Sequence, residues 1–367
     1  MTRQELTAYI ESILPADREA MDAARRRQAE LAKPPGSLGA LEDMSIRLAG
    51  IRRTPRPRID RCRVTVLAAD NGVVAEGVSC APQSVTVQQA VNMTRHKTGM
   101  SALAAYFGDQ VQVVDVGICV PVSCPQVLDR KVRFSTGDIA AEPAMTEQEA
   151  LRALSVGLDL AHMAKEEGID AVGVGEMGIG NTTTSAAVLA ALTGASVEDV
   201  TGRGGGLTDR GFATKKRVLR QALALHHPDP GDPVAVLAAV GGLDLAAMTG
   251  LFLGCAHEGL AAAVDGYISI VAALCAMRLC PRVRDYLFLS HASYEIGYRL
   301  AARELELEPC LLLGMRLGEG SGCPLLFRIL QGACAVLDGM ATFPEAAIAD
   351  EYLTPIRQGD AFTVDKS

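Results

Sequence analysis

A mostly parallel β-sheet covered by helices on both faces, an α/β protein, is the fold class this sequence predicts, and three observations predict it. One phrase recurs along the chain: a short Val- or Leu-rich run, a turn carrying Gly or Asp, then a long Ala-rich or amphipathic stretch. The runs are apolar at successive positions instead of alternating, as strands buried on both faces require. With 367 residues, 49% of them hydrophobic, the chain is long enough to bury a large core.

The predicted strands fall at 63–70, 111–118, 170–175, 261–264, 285–290 and 310–313. Ahead of them, helical periodicity over 15–31 stops at the double proline of Lys33-Pro34-Pro35-Gly36, and a second helix is expected over about 40–51. The stiff connector Thr54-Pro55-Arg56-Pro57 then marks a boundary near residue 60 between a helical leader and the main body. In parallel sheets ligands bind beyond the carboxyl ends of the strands. The distinctive loops all follow predicted strands, at 70–78, 175–178, 265–266, 290–293 and 316–322, so they converge on one rim.

Composition removes several classes of function. A net charge of -8 opposes a phosphate-backbone surface, and 4% aromatics with no Trp oppose base stacking, so no nucleic-acid partner is expected. No apolar run reaches membrane-spanning length and the first residues lack a signal pattern, so a soluble cytoplasmic protein is expected. The ten Cys form no CxxC pair and sit mostly in apolar runs, and the six His show no ligand spacing. No metal site is expected.

Three glycine-rich segments carry the chemistry. Met315 to Gly322 sets one carboxylate, Glu319, among glycines after an apolar run. Gly173 to Gly178 fits G-x-G-x-x-G, which keeps a nicotinamide-dependent oxidoreductase open as an alternative, although Glu176 would repel a pyrophosphate there. Gly180-Asn181-Thr182-Thr183 suits one phosphate at a capped helix start; Gly204 offers a further backbone cradle and Lys215 a countercharge. Glu176 and Glu319 then form a carboxylate pair on two loops of one rim; near a sugar phosphate such a pair suggests proton transfer and charge stabilisation at an anomeric carbon, and a surface-exposed pair is the alternative that spacing leaves open.

Those segments, with Lys33 to Gly39 (KPPGSLG), Gly72 to Gly77 (GVVAEG), Val114 to Ile118 (VDVGI), Val240 to Gly250 (VGGLDLAAMTG) and Asp265 to Ser269 (DGYIS), run in the order of one family. The chain closely resembles the nicotinate-nucleotide:dimethylbenzimidazole phosphoribosyltransferases of cobalamin assembly. The resemblance implies transfer of 5-phosphoribose from nicotinate mononucleotide to 5,6-dimethylbenzimidazole, giving α-ribazole 5′-phosphate and nicotinate. It implies Glu319 as general base, Glu176 as second carboxylate, Gly180, Asn181, Thr182, Thr183, Gly204 and Lys215 at the phosphate, and Ala81, Gln89, Met177, Leu317 and Ser293 around the base. No metal or organic cofactor is implied. The implied fold is a six-stranded, Rossmann-like three-layer domain over 61–334 with a small helical domain from 1–60 and about 335–367, assembled as a homodimer. Two departures bear on selectivity: Asn71 stands where relatives commonly carry His, and Ala81 where they often carry Ser. A base-binding or paired non-catalytic subunit is the second alternative, against which the intact Glu319 and Glu176 count.

Overall fold

The computed structural model describes residues 1–357; the end of the expected C-terminal helical segment, 358–367, lies outside the described residues. Six strands form one sheet, all paired in parallel: β1 Cys62–Ala69, β2 Gln110–Gly117, β3 Val127–Asp129, β4 Ala171–Met177, β5 Ala261–Val264 and β6 Leu287–Leu289. Their spatial order is β3-β2-β1-β4-β5-β6. The order reverses between β1 and β4, so their carboxyl ends open a crevice where a ligand can lie.

Five of the six strands stand where the apolar runs put them. The run at 310–313 is not a strand: only Leu311 bridges to His291, and Leu312 and Leu313 are exposed. Apolar composition suggests burial there, but past the Leu311 bridge the chain turns its next two side chains to solvent. The sixth strand is β3, three residues long and too short to leave a periodic signal.

All eight residues of β1 and all four of β5 are buried, as strands covered on both faces must be. The helix Leu243–Glu258 packs along β1, β2, β4 and β5, and Glu147–Glu166 packs on that helix in turn. These two helices meet backbone to backbone. A methyl group on Gly157 would stand 2.0 Å from the Ala247 carbonyl oxygen, and one on Gly250 would stand 2.0 Å from that of Leu154.

The chain divides into two compact units, residues 1–16 with 59–328, and residues 17–58 with 329 onward. The leader therefore splits at Ala16 instead of standing as one block to residue 60. The reason is local to the sheet unit: the Arg282 guanidinium donates to the Ile10 carbonyl, the Tyr286 hydroxyl to that of Leu14, and Tyr9 stacks on His257. In the helical unit, Arg18–Glu30 and Ala40–Arg52 bury Ala24, Ile46 and Ala49 together with Leu337, and Met21 packs half-buried against them. Between these helices the Lys33 ammonium reaches Glu42 Oε1 at 2.7 Å, and the same oxygen accepts the Leu38 N–H at 3.0 Å, pinning the double-proline loop.

Replacing Gly250 by Ala sets a methyl against backbone that no rotamer change can move. Gly250→Ala is expected to destabilise the sheet unit by about 1–3 kcal/mol, read as a lower denaturant midpoint at unchanged slope. A midpoint equal to that of the native chain would mean that the helices can separate freely.

Candidate active site

The cavity of about 270 Å³ opens at the carboxyl ends of the strands, on the crevice between β1 and β4. Its size is near the lower end for small-molecule sites. Three glycine-rich segments reach it, from the end of β4, from the loop around Gly204, and from the last turn before the helix Cys323–Gly339.

Glu319 sits in that last turn at φ 65°, between Gly318 at 82° and Gly320 at 89°. Three successive left-handed residues reverse the chain and bring the Glu319 N–H to Glu176 Oε1 at 3.2 Å. There is no room for larger neighbours: a methyl on Gly318 would lie 2.4 Å from Glu176 Oε1, and one on Gly175 would lie 2.5 Å from the Glu319 carbonyl oxygen. Asp265, just past β5, fastens the turn by accepting the Gly320 N–H at 3.1 Å and the Gly322 N–H at 2.7 Å. Glu319 Oε2 accepts the Met100 N–H at 3.2 Å. Both glutamates are buried and both line the cavity.

Burial governs the electrostatics. It pushes the Glu176 carboxyl up to about 7, helped by the nearby charges of Asp265 and Glu319 and opposed by bonds from Asn181 and the Glu319 N–H. Asp265 and Asp244 are likewise pushed by burial to about 7. His291, whose ring lines the same wall, is lowered to about 4 by burial and is therefore neutral at physiological pH. Lys215 is fully buried, and burial lowers it to about 8, with Glu295 pulling in the other direction. Among the described residues no group of three or more His, Cys, Asp or Glu is arranged to hold a metal ion.

Of the expected phosphate residues, Gly180, Asn181, Thr182 and Gly204 line the cavity. Lys215 does not, but its ammonium donates to Thr182 Oγ1 at 2.8 Å, directly behind the lining. Thr183 is also off the wall and fully buried. Asn181 departs from the expected capping role. The cap residue of the helix Asn181–Thr193 is Gly180 at φ 95°, no side chain caps the helix, and the Asn181 amide donates instead to Glu176 and to Asp244. No side chain therefore covers the helix start, where the Asn181 N–H turns back to the Gly178 carbonyl at 3.2 Å and the Thr183 N–H to that of Gly180 at 2.9 Å.

Ala81, Gln89, Met177, Leu317 and Ser293 all line the cavity. Asn71 does not: it is fully buried, donates to the Ile179 carbonyl at 3.5 Å and accepts from Thr184 at 3.3 Å. It therefore braces the turn and lies off the cavity wall. The glycines of G-x-G-x-x-G also serve another purpose. Gly173 and Gly175 lie inside β4, and methyl groups there would meet Cys323 and the Glu319 backbone at 2.5 Å, so these glycines admit neighbouring chain and not a pyrophosphate.

Sequence reasoning passes over Asp244, Asp265, His291 and Glu295. A signal is present for Asp244 and Asp265, each a carboxylate close to glycine in an otherwise apolar run.

Among the described residues no helix is long and apolar enough to cross a membrane. The family described as Phosphoribosyltransferase matches residues 13–348. A nicotinate-nucleotide–dimethylbenzimidazole phosphoribosyltransferase from Clostridium perfringens is 45% identical over 98% of this chain and 99% of its own length. One of the same name from Geobacter sulfurreducens is 46% identical over 94% of this chain and 98% of its own. The crystal structure of CobT from Thermus thermophilus superposes with a TM-score of 0.87 at 42% identity, covering 90% of this chain and 99% of that one. With the fold and nearly the whole length in agreement, the chain belongs to the nicotinate-nucleotide–dimethylbenzimidazole phosphoribosyltransferase family of cobalamin biosynthesis.

Proposed function

We propose that this enzyme transfers the 5-phosphoribosyl group of nicotinate mononucleotide to 5,6-dimethylbenzimidazole, with inversion at C1′ and Glu319 as general base. The observation that carries the reading is the buried turn that fixes the Glu319 carboxylate in the cavity beside Glu176. The unprotonated ring nitrogen of the acceptor bonds to C1′ while the C1′–N bond to nicotinate breaks. That bond's electron pair returns to the nicotinate nitrogen and neutralises its pyridinium. The acceptor, now a benzimidazolium, gives its other N–H proton to Glu319. Glu176 steadies the positive charge that develops on the ribose, and such a charge favours its ionised form.

The donor's phosphate is assigned to the helix start at Gly180 to Thr182, which no side chain caps, with Lys215 behind Thr182 as countercharge. The acceptor base is assigned to the wall of Ala81, Gln89, Met177 and Leu317, and Ser293 completes the lining. We take the assembly to be the homodimer, and the compartment the cytoplasm, that the resemblance implies.

The reaction is tested by incubating the protein with nicotinate mononucleotide and 5,6-dimethylbenzimidazole and identifying α-ribazole 5′-phosphate by mass. Glu319→Gln keeps the shape without the proton acceptor and is expected to lower turnover by roughly a hundred- to ten-thousandfold. Near-native turnover in that variant would remove Glu319 from the role of base.

Lys215→Ala is expected to raise KM for nicotinate mononucleotide roughly ten- to a hundredfold, the worth of one charge-assisted hydrogen bond, and to leave KM for the base nearly unchanged. An equal rise in both constants would place the phosphate elsewhere.

The state of Glu176 has a separate thermodynamic signature. Its carboxyl titrates near 4.5 when unfolded and near 7 when folded, so between these values the folded chain binds more protons. This contribution to stability is fully present at low pH and is lost as pH rises through 7. Relative to the native chain, Glu176→Gln should therefore gain stability between pH 5 and 8, by an amount on the order of 2 kcal/mol, and level off above. Denaturant unfolding across that range reads the difference, and a flat difference would mean that Glu176 is ionised throughout.

A further inference from the structure

Asp244 stands in the first turn of the helix Leu243–Glu258, fully buried and outside the cavity wall. Its Oδ1 accepts the Leu245 N–H at 2.9 Å, and its Oδ2 accepts from Asn181 Nδ2 at 3.2 Å. That same Asn181 nitrogen donates to Glu176 Oε2. One amide group thus spans two carboxyl groups, and only one of the two, Glu176, lines the cavity. The backbone around Asp244 is shaped to admit it: a methyl on Gly242 would fall 2.3 Å from Oδ1 and one on Gly178 would fall 3.0 Å from Oδ2.

A carboxylate buried this deeply costs stability, and among the described residues no cation offsets it. The charged groups acting on Glu176 are Asp265 from the end of β5 and Glu319 from the last turn, and the one acting on Asp244 is Glu176. Asn71, whose amide lies near both Gly178 and Gly242, is neutral. The first turn of a helix favours an acid, and the Leu245 N–H satisfies Oδ1, but neither accounts for Oδ2 turned to the Asn181 amide. Its orientation toward Asn181 indicates a use.

We propose that Asp244 is a positioning residue for the phosphoribosyl transfer: it anchors the Asn181 amide, and through that amide it fixes the direction and charge state of the Glu176 carboxylate at the cavity. The proposal rests on the reaction proposed above for its kinetic consequence, but the Asp244–Asn181–Glu176 link can be read without turnover. With both acids attached to one NH₂ group, ionising one disfavours ionising the other. Loss of the anchor frees Asn181 to rotate and Glu176 to follow it.

The test is Asp244→Asn. The substituted amide keeps the volume but must turn an NH₂ group toward either the Leu245 N–H or the Asn181 NH₂ group, donor against donor, so one bond is lost. Turnover is expected to fall roughly ten- to a hundredfold, as for a misplaced catalytic group, with both KM values within about threefold of native. The acid limb of the kcat/KM profile is expected to move about one pH unit higher, because an Asn181 amide that swings away no longer favours the ionised form of Glu176. A folded variant with native turnover and an unmoved limb would overturn the proposal. Should the variant fail to fold, carbon-13 carboxyl resonances decide: the Asp244 midpoint in the native protein should drop in Glu176→Gln, and an unchanged midpoint overturns the link. If the native protein forms no α-ribazole 5′-phosphate, the proposed reaction fails, while the resonances still report on Asp244.

Discussion

The hydrogen bond from the Glu319 N–H to Glu176 Oε1 is the contact on which the site depends, because it joins the end of the fourth strand to a turn 143 residues further on. It can form only where backbone approaches backbone. Gly175 on the strand and Gly318 and Gly320 on the turn leave no side chain in the gap. Asp265, from the next strand over, then takes two N–H groups of the same turn. The strand order places β4 and β5 side by side, so the topology of the sheet delivers all three carboxylates to one spot.

Among the described residues these acids are held by N–H groups and an amide and not by lysine or arginine. Burial consequently leaves Glu176, Asp244 and Asp265 near neutrality instead of far below it. A cavity built this way responds to positive charge entering it, and the proposed donor carries a pyridinium ring. The buried ammonium, Lys215, lies apart behind Thr182. The pyridinium nitrogen and the phosphate of such a donor would meet opposite fields, which favours one orientation in the cavity.

The fold was legible in the sequence wherever burial produced continuous apolar runs, as in Cys62–Ala69 and Ala261–Val264. It failed at Leu312 and Leu313, which are apolar and yet exposed, and at Val127–Asp129, where three residues carry no period. The site was legible where glycine spacing sets a carboxylate on the cavity wall, at Glu176 and Glu319. It was illegible where a side chain answers to distant partners. Asn181 looks like a helix cap because its neighbours in sequence make it one; its amide is turned by Glu176 and Asp244, five and 63 residues away. Asn71, likewise, follows a strand on the correct rim but points inward to Ile179 and Thr184.

Glu319 holds a left-handed backbone that costs an ordinary residue about 1–2 kcal/mol and costs glycine almost nothing. A chain selected for thermal endurance alone would carry a third consecutive glycine at this position. Variant libraries screened only for heat resistance should therefore drift toward glycine at residue 319 and lose the proposed base, so a stabilising programme has to hold this position fixed.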